Sequence, residues 1–138
     1  MMTKSVLVLD DEPTNRGVIA FVLRAGGYEV LEAATGAAAL CAGHRHRIMV
    51  LVADLRLPDM AGTEVARSLR EDWPDMAILF TSGTPVQHWT HAERGTLHEL
   101  SGPVDVLEKP FTPPALTQAV NALAAARTLE DGMPRHPD

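Results

Sequence analysis

Three uninterrupted apolar runs, Val6 to Leu9, Ile48 to Ala53 and Ala77 to Phe80, constrain this chain more than any other feature. A strand with one wet face alternates apolar and polar residues. A run of Val, Ile and Leu without alternation belongs to a strand covered on both faces, as in a parallel sheet. Weaker runs at Tyr28 to Leu31 and Val104 to Leu107 supply two further strands. Helix-like stretches stand between and after them. The first follows Pro13 and Thr14, places Val18, Phe21, Val22 and Ala25 on one face and stops at Gly26-Gly27. The second opens at Thr35, has Ala37, Leu40 and Cys41 on its apolar side, with Cys41 as core filling, and ends near Gly43. The third starts near Thr63, carries Val65 and Leu69 and is broken by Trp73-Pro74. The fourth, within Val86 to Leu100, is weakly patterned and interrupted by Gly95. The fifth takes Thr112 as its cap and Pro113 in its first turn, then presents Leu116, Val120 and Leu123 at helical spacing. Five strand-helix units of this kind predict an α/β fold: an open five-stranded parallel sheet with helices on both faces.

A chain of 138 residues fits one domain, expected over residues 1–129, with 130–138 as a flexible tail containing Gly132, Pro134 and Pro137. Apolar residues at 46% and charged residues at 22% exclude wholesale disorder. The formal charge of -6 makes nucleic acid a poor direct partner, because phosphate contacts need clustered Lys and Arg. The single Cys41 excludes an internal disulfide framework and fits a reducing, cytoplasmic setting. The longest apolar run falls far short of the roughly 20 residues of a membrane helix. The four-residue run near the start is too short for a signal peptide. Too little chain follows Arg127 for a second folded unit.

The strand ends carry the chemistry. The first strand runs into Asp10-Asp11, the third into Asp54, the fourth into Thr81-Ser82 and the fifth into Lys109. In an open parallel sheet all carboxyl ends lie on one edge, and ligands bind where the strand order reverses. If the first and third strands are neighbours, Asp10, Asp11 and Asp54 converge, flanked by Thr81 and Lys109. Three carboxylates in one pocket repel each other unless a cation neutralises them. Mg²⁺ (or Mn²⁺), which takes oxygen donors, is the natural ion. A carboxylate, a metal, a lysine and a hydroxyl are the parts that phosphoryl transfer requires.

Asp10-Asp11 after Val6 to Leu9, Asp54 followed by Pro58 and Gly62, Thr81-Ser82-Gly83, and Lys109-Pro110-Phe111 together resemble the receiver domain of two-component response regulators, in a single-domain form similar to the chemotaxis regulators. The resemblance covers roughly Lys4 to Arg127. It implies a flavodoxin-like strand order of 2-1-3-4-5. It implies that Asp54 accepts a phosphoryl group from a histidine kinase or histidine phosphotransfer protein, and that Asp10, Asp11, Asp54 and the backbone carbonyl of Arg56 hold the metal. Thr81, Ser82 and Lys109 would serve the phosphoryl oxygens, with a cis peptide before Pro110. The implied role is a switchable binding module rather than a turnover enzyme. The chain either stands alone or is a receiver belonging to a hybrid kinase. The downstream partner is not named by any motif, and a homodimer through the face from the fourth to the fifth helix is open. Two other readings compete: a docking module that works without phosphorylation, and a phosphohydrolase of the haloacid dehalogenase type, which Glu12 and Thr14 after Asp10 imitate poorly.

Several positions depart from the receiver pattern. Val106 stands where receivers usually carry an aromatic ring that turns inward, so a ring cannot mark the two states here. The stretch from Thr81 to Lys109 is longer than is usual, and Arg56 and Gly83 occupy positions where the family tunes phosphoryl lifetime. Arg56 could shield the group, while Gly83 leaves water a path. His88, His91 and His98 would share one arc of an unbroken helix, but a solvated face is the favoured reading over a metal site. His44-Arg45-His46-Arg47 reads as a helix end favouring positive charge.

Overall fold

Val6 and Val8 point to one side of the first strand and Leu7 and Leu9 to the other, and all four are buried. This is the period-2 geometry of a strand applied to a run with no polar member, and it requires a layer of helices on each face. A computed structural model describes the backbone of residues 5–132 and the side chains of residues 5–127. The elements are β1 (Ser5–Leu9), α1 (Pro13–Ala25), β2 (Glu29–Ala33), α2 (Gly36–Arg45), β3 (Val50–Asp54), α3 (Gly62–Asp72) and β4 (Ala77–Ser82). A single 3-10 turn (Val86–His88) then precedes α4 (His91–Glu99), β5 (Val104–Glu108) and α5 (Pro113–Gly132). The tail expected over 130–138 overlaps the end of α5 at its start, and residues 133–138 lie outside the described residues.

All strand pairs are parallel, in the order β2-β1-β3-β4-β5, the flavodoxin-like arrangement. One apolar layer joins Val6, Val8, Val50 and Val52 to Ile19 and Leu23 of α1 and Leu116, Val120 and Leu123 of α5. The other joins Leu7, Leu9, Leu51, Ile78 and Phe80 to Ala39 of α2, Val65 and Leu69 of α3, and Trp89.

The structure turns α1 away from the expected face, of which only Val22 packs, half-buried, against the core layer. Ile19, Ala20 and Leu23 are buried, whereas Val18 is 51% and Phe21 74% exposed. The helix carries apolar residues on more than one stripe, and the stripe that reaches β1 and α5 is the one buried. Cys41 is likewise exposed rather than core filling. The inward face of α2 is Gly36, Ala39 and Gly43, and the helix continues past Gly43 to Arg45. A Cβ at Gly43 would meet Leu69 Cδ2 at 2.1 Å, so the absence of a side chain is what lets α2 lie close to α3. Two strands sit slightly later than the apolar runs suggest: Ile48 and Met49 are buried ahead of β3, and β2 runs from Glu29 to Ala33.

Candidate functional site

β1 ends at Leu9 and delivers Asp10, 1% exposed, to the carboxyl edge of the sheet. Its backbone is tied on both sides. Asp10 N–H donates to the Ala33 carbonyl at 3.2 Å, and its own carbonyl accepts from Arg16 Nη1 at 2.8 Å. Glu12 N–H donates to Asp10 Oδ1 at 2.9 Å, while the Glu12 carboxylate caps α1 by accepting from Thr14 N–H and Asn15 N–H at 3.2 and 2.7 Å. The acid pair is thus set by the same turn that starts the helix. Asp11, between them, is exposed.

Asp54 closes β3, beside Thr81 in the register with β4. Beyond it, Leu55 N–H donates to the Thr81 carbonyl at 3.0 Å, and Gly62 N–H folds the loop back onto the Leu55 carbonyl at 2.7 Å. Asp59, in the same loop, accepts from Gly36 N–H and Ala37 N–H at 3.0 Å each and so clamps the loop to the start of α2. Those hydrogen bonds, the one from Gly36 first, hold the Asp59 carboxyl below the usual carboxylate range.

Lys109 follows β5, with its N–H donated to the Ser82 carbonyl at 2.7 Å and a cis peptide to Pro110. Its ammonium lies 3.0 Å from Asp54 Oδ2 and 3.4 Å from Asp10 Oδ2. Burial pushes the Asp10 carboxyl above its ordinary value and the charge of Asp54 adds to this, while the Glu12 N–H and Lys109 pull it back. For Lys109, burial works against the charge, but the bonds to Asp54 and Asp10 outweigh it and hold the ammonium above the usual lysine range.

Asp10, Asp11 and Asp54 each bring one carboxylate oxygen within 4.8 Å of the others. One ammonium faces three carboxylates, so the pocket keeps an excess of negative charge and offers hard oxygen donors. That donor set fits Mg²⁺ or Mn²⁺.

Thr81 is 1% exposed and pairs with Asp54 across the β3–β4 register. Ser82 is turned into its own loop: its hydroxyl donates to the Thr84 carbonyl at 2.7 Å and accepts from Thr84 N–H at 3.0 Å. Gly83 is exposed, with nothing within 4 Å of where a Cβ would stand. Val106 is half-buried on β5 against the apolar layer that contains Trp89. The three histidines do not share a helix: His88 lies on the 3-10 turn, and Trp89 and Thr90 separate it from His91 and His98 on α4. Among the described residues they join no group able to hold a metal. His44 and Arg45 form the last turn of α2, and His44 Nδ1 lies 2.7 Å from Asp72.

Glu93 and Thr84 escaped the sequence reading. The Arg56 side chain pairs with Glu93, Nε to Oε2 at 3.0 Å and Nη2 to Oε1 at 3.1 Å, and donates through Nη1 to the Thr84 hydroxyl at 3.1 Å. A signal for Glu93 was present: Thr90 and Glu93 have capping-box spacing, and both of its reciprocal bonds form.

The chain matches the response regulator receiver domain family over residues 6–121. It is 34% identical over 125 residues to the DNA-binding response regulator MtrA of Mycolicibacterium smegmatis, covering 88% of this chain and 50% of that protein. Across the curated relatives the chain spans about half their length or less, down to 32% for the probable transcriptional regulatory protein TcrX of Mycobacterium tuberculosis. The chemotaxis protein CheY4 of Vibrio cholerae is similar with a TM-score of 0.78 at 26% identity, over 88% of this chain and 99% of that one. The receiver domain of the sensor histidine kinase PA1611 of Pseudomonas aeruginosa, described with a magnesium ion in its active-site cleft, gives 0.75 at 27% identity over 90% and 99%. Strand order, the edge that gathers the acids and a family match over most of the sequence agree: this chain belongs to the response regulator receiver domains.

Proposed function

We propose that this receiver accepts a phosphoryl group on Asp54 in a reaction that needs Mg²⁺ or Mn²⁺, from a histidine kinase or histidine phosphotransfer protein, and that phosphorylation changes its binding to a partner protein. The observation that carries this reading is the Lys109 ammonium bridging Asp54 and Asp10 at 3.0 and 3.4 Å. Lys109 is positioned to hold a phosphoryl oxygen as soon as one arrives on Asp54.

An Asp54 oxygen forms the new bond to phosphorus as the P–N bond of the phosphohistidine breaks. The imidazole nitrogen keeps the electron pair, and the ring leaves neutral because its other nitrogen carries a proton. In the reverse sense of signalling, water bonds to phosphorus, the P–O bond to Asp54 breaks, and the carboxylate and inorganic phosphate are released. Asp10, Asp11, Asp54 and the Arg56 carbonyl would hold the metal, which when bound neutralises charge on the phosphoryl oxygens. Lys109 supplies the protein's own cation, and the Thr81 hydroxyl is a donor adjoining the acceptor. Phosphorylation adds charge and three strong acceptors, enough to draw the Thr81 loop inward. The chemistry is confined to the domain's own modification and its reversal.

Intact mass after incubation with acetyl phosphate and Mg²⁺ tests the reading. One phosphoryl group on the parent protein, none with chelator and none on Asp54→Asn, is the expected result. An unmodified parent under every donor, or modification that survives Asp54→Asn, refutes it; the former favours a module that docks without phosphorylation.

A further inference from the structure

The acceptor loop and the segment after β4 are joined by a polar latch. Arg56 stands two residues after Asp54 and its guanidinium makes a two-pronged pair with Glu93 at 3.0 and 3.1 Å. The third nitrogen donates to the Thr84 hydroxyl at 3.1 Å. Thr84 passes the connection on, because its carbonyl accepts from the Ser82 hydroxyl at 2.7 Å and from the Trp89 indole N–H at 3.0 Å. Trp89 is 4% exposed in the apolar layer under α4. α4 itself has no buried residue. Its polar ties include Arg56 to Glu93, Arg67 to Thr96 and Glu99, and Arg94 to the Gln87 carbonyl of the 3-10 turn. Its apolar packing is limited to the half-buried Leu97, with Leu100 just past its end, against that layer, so polar contacts carry much of its placement.

We propose that Glu93 is a positioning residue for the phosphoryl chemistry: it holds Arg56 on α4 before phosphorylation, and the phosphoryl group on Asp54 draws Arg56 away, releasing α4 and Trp89. The inference rests on Asp54 being the acceptor. Arginine pairs two-pronged with carboxylate and with phosphate alike, so the two anions compete for one guanidinium. The existing pair is largely solvent-exposed at Arg56, with a side chain 52% accessible, which keeps it weak enough to be displaced. The latch also replaces a missing part. Val106 has no ring to swing, whereas Trp89 is an aromatic side chain attached to the loop that moves.

The test uses Glu93→Gln, which keeps an oxygen for the capping box with Thr90 and removes the charge. With Arg56 released, it shields the phosphoryl group more of the time, and the half-life of phosphorylated protein lengthens by about threefold, the scale of an exposed ion pair. Glu99→Gln, which breaks the neighbouring pair with Arg67, leaves the half-life unchanged. The lengthening disappears when Glu93→Gln is made together with Arg56→Ala. In a Trp73→Phe background, where Trp89 is the single indole, beryllium fluoride with Mg²⁺ shifts the emission, and Glu93→Gln shows part of that shift without it.

An unchanged half-life at equal phosphoryl uptake overturns the latch, as does a lengthening that persists without Arg56. If neither protein takes up phosphoryl groups, the acceptor assignment fails. The emission of the unmodified proteins then still decides: identical spectra for parent and Glu93→Gln overturn the hold on α4.

Discussion

At Gly62 the first carbon of any side chain would stand 2.1 Å from the Asp54 carbonyl oxygen and 3.2 Å from Leu55 Cα. Both neighbours are backbone, and both belong to the strand end that presents Asp54, so neither can yield without moving it. Gly62→Ala is expected to cost about 1–3 kcal/mol, as overpacked sites do, and to slow phosphoryl uptake as well. Gly83→Ala, with open space at its Cβ position, is the matched control and should stay within about 0.5 kcal/mol. Urea midpoints and the rate of mass increase with acetyl phosphate measure the two effects; equal behaviour of the two variants contradicts the close approach. The candidate residues themselves, Asp10, Asp11, Asp54, Thr81 and Lys109, were legible because each stands within two residues of the end of an apolar run. The pairing of Glu93 with Arg56 was not, because the two lie 37 positions apart and the capping-box spacing of Thr90 and Glu93 marks only the start of a helix.

The helices show where reading by pattern runs out. In α1 the stripe Val18, Phe21, Val22, Ala25 and the stripe Ile19, Ala20, Leu23 are both apolar and both helical in spacing. Local periodicity therefore cannot rank them; only the position of β1 and α5 does. Leu23→Ala should cost about 2–5 kcal/mol by leaving a cavity, whereas Phe21→Ala, at a site 74% exposed, should change stability by about 0.5 kcal/mol or less. Denaturant unfolding separates these outcomes, and a large loss at Phe21 contradicts the observed face. α2 conceals its inner face differently, through Gly36 and Gly43, which carry no hydrophobic signal because what they contribute is the absence of a side chain. In α4 the weak pattern matches a thin apolar contact: no residue is fully buried, Leu97 alone of the helix packs half-buried against the core layer, and Arg56 and Arg67 add polar ties.

Across the molecule the β2-β1-β3-β4-β5 order places β1 beside β3, and this alone brings Asp10 and Asp11 to Asp54. Three carboxylates against the Lys109 ammonium are a standing repulsion that a divalent cation relieves. Mg²⁺ at 100 times its dissociation constant should stabilise the fold by about 2.7 kcal/mol through binding to the native state. The gain should vanish with chelator and shrink in Asp11→Asn, read as a shift of the urea midpoint; a midpoint indifferent to Mg²⁺ counts against a metal at this edge. The described helices include none long and apolar enough to cross a membrane.

The amino-acid sequence by itself determined that there would be five strands, three of them covered on both faces, and which polar residues would stand near their carboxyl ends. Both are carried by neighbours along the chain: unbroken apolar runs and the residue that ends each one. Only the tertiary structure decided which stripe of α1 faces inward, how closely α2 packs, and that Arg56 turns to Glu93 and Thr84. Those outcomes depend on surfaces brought together from distant parts of the chain. A helix with two apolar stripes, or an arginine within reach of more than one anion, takes the arrangement that its neighbours in space make lowest in free energy.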